Sequence, residues 1–125
     1  MDFLKKLGIP DYEFRLVFGR TRIDYDPTKE AINLQKHGYS LRVAVQLLER
    51  VLLPIKTTPF ATSDAFKERG EVRHMHMGLD SDGNVVFVVT TMRTNETVRV
   101  ISLRRASKKE KHLFHQLTGY RQSDE

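Results

Sequence analysis

A turn constrains this chain more than any other feature. Asp80-Ser81-Asp82-Gly83-Asn84 separates two runs rich in strand formers, 72–79 and 85–92. Asp and Asn side chains bond back to nearby backbone, and glycine tolerates the positive φ of a tight turn. The flanking runs are therefore predicted to pair antiparallel. A third run, 97–104, follows a weaker turn at Thr94-Asn95-Glu96, and together the three read as an antiparallel meander.

Such a sheet needs a cover, and the chain supplies three helices. Asp26 can cap a helix that begins at Pro27, where no N–H is required, and Gly38 can take the left-handed exit. Its last turn carries Lys36 and His37, where positive charge meets the negative end of the helix dipole. Ser40 can cap a second helix, in which Leu41, Ala44, Val45, Leu48, Val51 and Leu52 recur at helical spacing until Pro54 stops it. Ser107-Lys108-Lys109-Glu110 has the capping-box pattern of a third helix, with Leu113, Phe114 and Leu117 on its inward side and Gly119 at its end.

A strand within 16–25 leads into the first helix, and the polar stretch 57–70, with Pro59, Ser63 and Gly70, reads as a mobile loop. Residues 1–17 read as an N-terminal extension, 18–119 as one domain and 120–125 as a polar tail. The expected class is α+β: a small antiparallel sheet with two N-terminal helices on one face, a C-terminal helix, and the other face open to a ligand.

At 125 residues the chain is large enough for a single core, and 39% apolar with 30% charged residues is not a disordered composition. Without cysteine it forms no disulfide and no thiolate zinc site. It has no apolar run of about 20 residues and no signal-peptide pattern, so a soluble cytoplasmic protein without membrane partners is expected. The formal charge is +5. The positive charge clusters: Arg99, Arg104, Arg105, Lys108, Lys109 and Lys111 fall between positions 99 and 111, where Glu110 is the one acid. A footprint of that kind suits a nucleic acid, or the contact face of an acidic protein.

The chain resembles the BrnT family of toxins from bacterial type II toxin–antitoxin systems. The resemblance rests on Tyr25-Asp26-Pro27-Thr28-Lys29, Asn33 and Lys36-His37-Gly38, then Arg73 and Gly78, then Arg99-Val100-Ile101-Ser102-Leu103-Arg104-Arg105-Ala106-Ser107 with Glu110. It implies a RelE-like fold, ribonuclease activity that stops translation, and neutralisation by an antitoxin with a ribbon-helix-helix DNA-binding part. The complex of the two is expected to bind operator DNA and repress its own operon.

RNA cleavage without a metal needs a base for the 2′-hydroxyl, an acid for the leaving 5′-oxygen, and fixed positive charge at the phosphorus. His37 is the acid or base best suited by pKa, with Lys36, Arg73 and Arg104 as the other candidate catalytic residues. Lys29, Arg99, Arg105 and Lys108 are candidates for holding RNA. Strand parity assigns Arg104 to one face with Val98, Val100 and Ser102, and Arg99 with Arg105 to the other. No cofactor is expected. A zinc site is conceivable at His74 and His76 with His112 and His115, against ordinary polar positions. Met75 and Met77 read as core, and packing is favoured over base stacking for Phe60, Phe66 and Tyr120. The competing functions are a nucleic-acid-binding module without chemistry and a degenerate toxin that only binds its antitoxin.

Overall fold

The computed structural model describes residues 21–52, 59–63, 65–93 and 97–122. Expectations for 1–17, for the early part of the first strand, for Pro54, for the 94–96 turn and for the side chain of Leu52 lie outside the described residues. The elements run β1 (Arg22–Tyr25), α1 (Pro27–His37), α2 (Arg42–Leu52), β2 (Ala61–Thr62), β3 (Phe66–Glu68), β4 (Glu71–Leu79), β5 (Val85–Arg93), β6 (Thr97–Arg105) and α3 (Lys108–Thr118). They form a mixed α+β fold on one six-stranded sheet ordered β1-β6-β5-β4-β2, with β3 also on β4.

The β4–β5–β6 meander is as predicted, and its turn is held by Asp80. That carboxylate accepts from the backbone N–H groups of Asp82 and Asn84, both at 2.9 Å. Two features depart from an antiparallel sheet of three central strands. β1 pairs with β6 in parallel, which makes the sheet mixed. Part of the predicted loop is a broken edge strand, because β2 and β3 both pair with β4. Across the break, Ser63 donates its N–H to Met75 O and accepts the Met75 N–H on its hydroxyl. Pieces of two and three residues carry no periodicity, so only the pairing reveals them.

The helices divide between the sheet faces. Leu41, Ala44, Leu47 and Leu48 of α2 and its entry pack on Val86, Val88, Val98, Val100 and Leu103. Phe114 of α3 packs on Phe66, Met75, Met77, Val85 and Phe87. The second face is thus partly covered by α3 instead of being left open. Met75 and Met77 are core as predicted, and Phe114 is fully buried, but Leu117 is 40% exposed and does not face inward. Helix α1 lies against β6, the neighbour of β1.

Candidate active site

The last turn of α1 is placed by a residue one turn earlier. Strand β1 pairs with β6 only as far as Val100, so the β6 backbone beyond it needs other partners. Asn33 supplies them: its Nδ2 donates to Leu103 O at 2.8 Å, and its Oδ1 accepts the Leu103 N–H at 3.0 Å. A carboxamide carries the same donor and acceptor as a peptide unit, so this side chain acts as one more residue of the edge strand. Nδ2 also donates to Tyr39 O at 2.9 Å, which fixes the chain just after α1. His37, four residues after Asn33, therefore comes beside Arg104, the neighbour of Leu103.

Arg104 is held on three sides. Its guanidinium lies 4.3 Å from the Phe87 ring centroid and donates to Glu110 through Nη1 at 2.7 Å and Nη2 at 2.9 Å. Nη1 also reaches Arg105 O at 3.2 Å. Glu110 is fixed in turn by the capping box, where Ser107 N–H donates to Oε1 at 2.8 Å and Glu110 N–H to the Ser107 hydroxyl at 3.2 Å. Burial, the largest single influence, acts to raise the Glu110 pKa, but the hydrogen bonds from Arg104 and Ser107 and the Arg104 charge together prevail and hold its carboxyl below the usual range. Glu110 in return raises the Arg104 pKa. The His37 pKa is lowered, first by burial, then by the charges of Lys36 and Arg104. A neutral imidazole beside two fixed cations has the parts of a base next to an anion site.

A second network borders this corner. The Tyr39 hydroxyl accepts from Arg105 Nε at 3.1 Å and donates to Asp80 Oδ2 at 3.0 Å. Burial is the main cause that raises the Tyr39 pKa. Burial also acts to raise Asp80, but hydrogen bonds from Asn84, Tyr39 and Asp82 prevail and lower it.

The family model for the ribonuclease toxin BrnT of type II toxin–antitoxin systems matches residues 25–110. The chain belongs to the BrnT family. The match spans Asn33, Lys36, His37, Arg104 and Glu110, so the whole corner lies within the family region. A similar solved structure is the Brucella abortus ribonuclease toxin BrnT, determined at 1.1 Å. It is 25% identical, with a TM-score of 0.51, and the likeness covers 70% of this chain and 99% of that one. No curated protein matches the chain.

Within this BrnT-family fold the predicted site residues separate into two groups. Lys36, His37 and Arg104 meet at the corner, with Arg105 and Lys108 close by in the chain. Lys29 is exposed on the first turn of α1, seven residues before Lys36 and so on the same side of the helix. Arg73 is set apart. It stands opposite Thr91, whereas Arg104 stands opposite Phe87, a displacement of about 13 Å along β5. Arg73 is bound to Glu71 at 2.8 Å and Glu68 at 3.1 Å. Arg99, on the far side of Thr91, makes a two-bond pair with Asp24 at 3.0 and 3.2 Å.

The predicted face assignment of the arginines is corrected by a bulge. Val89 opposes Ser102 but Thr90 opposes Val100, which leaves Ile101 as an extra residue and shifts the alternation. Arg104 and Ser102 consequently share a face with Arg99, and Arg105 lies with Val98, Val100 and Leu103. The histidine pairs also stay apart. His74 and His76 are buried on the α2 side of the sheet rather than at ordinary polar positions, whereas His112 and His115 are exposed on α3. Phe60 stacks on His76 at 5.6 Å, Phe66 is core, and Tyr120 meets Phe114 at 6.1 Å, so all three aromatics pack. The sequence reading left Tyr39, Asp80 and Glu110 out of the site. Glu110 was within reach of it, since the capping box puts that carboxylate one helical turn beyond the strand end that carries Arg104.

Proposed function

We propose that this chain is an endoribonuclease toxin that cleaves cellular RNA by metal-independent acid–base chemistry, stops translation, and has the RelE-like arrangement. One observation carries the reading: a histidine with a lowered pKa stands beside Lys36 and an Arg104 locked by Glu110. His37 takes the proton of the 2′-hydroxyl, the 2′-oxygen attacks phosphorus, and the bond to the 5′-oxygen breaks. The leaving oxygen takes a proton from solvent or from the Lys36 ammonium. Lys36 and the remaining Arg104 donors stabilise the charge that builds at phosphorus. Lys29, Arg105 and Lys108 hold neighbouring phosphates. Arg73 and Arg99, paired with carboxylates, contact more distant parts of the strand. A cognate antitoxin with a ribbon-helix-helix DNA-binding part neutralises the toxin in the cytoplasm, and their complex represses the operon.

The test is incubation of purified protein with RNA in EDTA. The expected products end in 2′,3′-cyclic phosphate, and His37→Ala lowers the rate about 100-fold or more with an unchanged circular dichroism spectrum. RNA that is retained but never cut would instead identify a binding module.

A further inference from the structure

Arg73, Arg99 and Arg104 each bond to a carboxylate, that of Glu71, Asp24 and Glu110 respectively. Arg105 is held differently. Its Nε donates to the Tyr39 hydroxyl at 3.1 Å, and that hydroxyl donates to Asp80 Oδ2 at 3.0 Å. The phenol, kept neutral by a pKa that burial above all raises, is thus interposed between the cation and the acid. It orients the guanidinium without cancelling its charge. Asp80 and Asp82 act on Arg105 only through space, after the direct bond to Tyr39. Among the described residues that bond is the one hydrogen bond of the Arg105 side chain, which is exposed at the end of β6. Tyr39 makes a fixed post because it is pinned at three points. Its ring packs on the α2 side of the core, and its carbonyl accepts from Asn33 Nδ2 at 2.9 Å. Asp80, which accepts from its hydroxyl, is itself tied into the β4–β5 turn by the N–H groups of Asp82 and Asn84.

We propose that Tyr39 is a positioning residue for RNA: anchored by Asp80, it aims Arg105 so that the two Nη groups grip the phosphate next to the one being cut. The inference rests on the ribonuclease reading and adds the residue that makes Arg105 a directed ligand instead of a loose surface charge. A guanidinium meets a phosphate through two parallel N–H bonds, and a free arginine side chain gives up rotamer freedom to reach that geometry. Fixing Nε beforehand removes part of that loss. Arg104 and Arg105 are neighbours on opposite faces of β6, so a strand held by both crosses the end of that strand of the sheet.

The test uses the full chain, with kcat and KM measured on an RNA of about twelve nucleotides and Kd on its non-cleavable 2′-O-methyl form by fluorescence anisotropy. Tyr39→Phe keeps the ring and removes both hydroxyl bonds. It is expected to raise KM and Kd about three- to tenfold while kcat stays within about twofold. In an Arg105→Gln background the same substitution changes Kd by less than about twofold, because Tyr39 acts through Arg105. Arg105→Lys keeps the charge but not the planar fork, and is expected to lose nearly as much affinity as Arg105→Gln. A Tyr39→Phe protein that binds RNA as the wild type does, or whose loss is undiminished beside Arg105→Gln, overturns the proposal and leaves the ribonuclease reading standing. Should Tyr39→Phe unfold, Arg105→Lys decides: wild-type affinity there means that charge alone suffices and no aiming is needed. A wild type that binds without cutting overturns the ribonuclease reading, and the same comparison of Kd values still judges Tyr39. A wild type that neither binds nor cuts overturns both.

Discussion

At Gly78 the sheet has no room for a side chain. A Cβ there would lie 2.9 Å from both Leu47 methyl carbons, and Leu47 is fully buried. Gly78→Ala is expected to cost about 1–3 kcal/mol in urea denaturation, and less in a Leu47→Ala background, where the clash is gone. His37 yields a second prediction for single residues. Its pKa lies below the ordinary 6.5 partly because Lys36 is charged. If His37 is the base, kcat/KM rises with pH through an inflection below 6.5. Lys36→Gln removes a positive neighbour, so the His37 pKa rises and the acid limb of the profile moves to higher pH.

Among the elements, the helix ends were the most legible in the sequence. Asp26 accepts the Thr28 N–H at 2.7 Å, Gly38 has φ 74°, and Ser107 with Glu110 forms the predicted capping box. Each is settled within four residues, the range over which a local pattern acts. Ser107→Ala is expected to cost about 1 kcal/mol and to loosen Arg104 by freeing Glu110. The attachment of α1 to β6 was not legible, because it joins positions 33 and 103. Asn33→Ala leaves the buried N–H and C=O of Leu103 without their partners and is expected to cost about 2–4 kcal/mol in thermal or chemical denaturation. If its loss proves close to neutral, Asn33 is not the residue that fixes the corner.

For the whole molecule, the decisive variable is which side of the sheet a residue meets. His76 is fully buried, between the Thr62 hydroxyl at 2.9 Å and the Thr90 hydroxyl at 2.7 Å. Burial, then the neighbouring His74, lowers its pKa from 6.5 to about 3. The folded state keeps His76 neutral while the unfolded chain binds a proton below 6.5, so stability is full above that value and declines as pH falls toward about 3. Between pH 6 and 5, above the range of the carboxylates, the slope from this group should approach about 1.4 kcal/mol per pH unit in denaturant melts. His76→Gln should flatten it. By itself the sequence determined the meander, the three helices with their caps, the basic stretch from Arg99 to Lys111 and the resemblance to BrnT toxins, because each is written in adjacent residues. Tertiary structure alone decided the rest. A single extra residue at Ile101 reverses every later side chain on β6, pairing sets Arg73 apart from Arg104, and contacts between distant segments bury His76 and join His37 to its cations. Alternation along a strand says that neighbours point oppositely, but only the partner strand says where the count restarts.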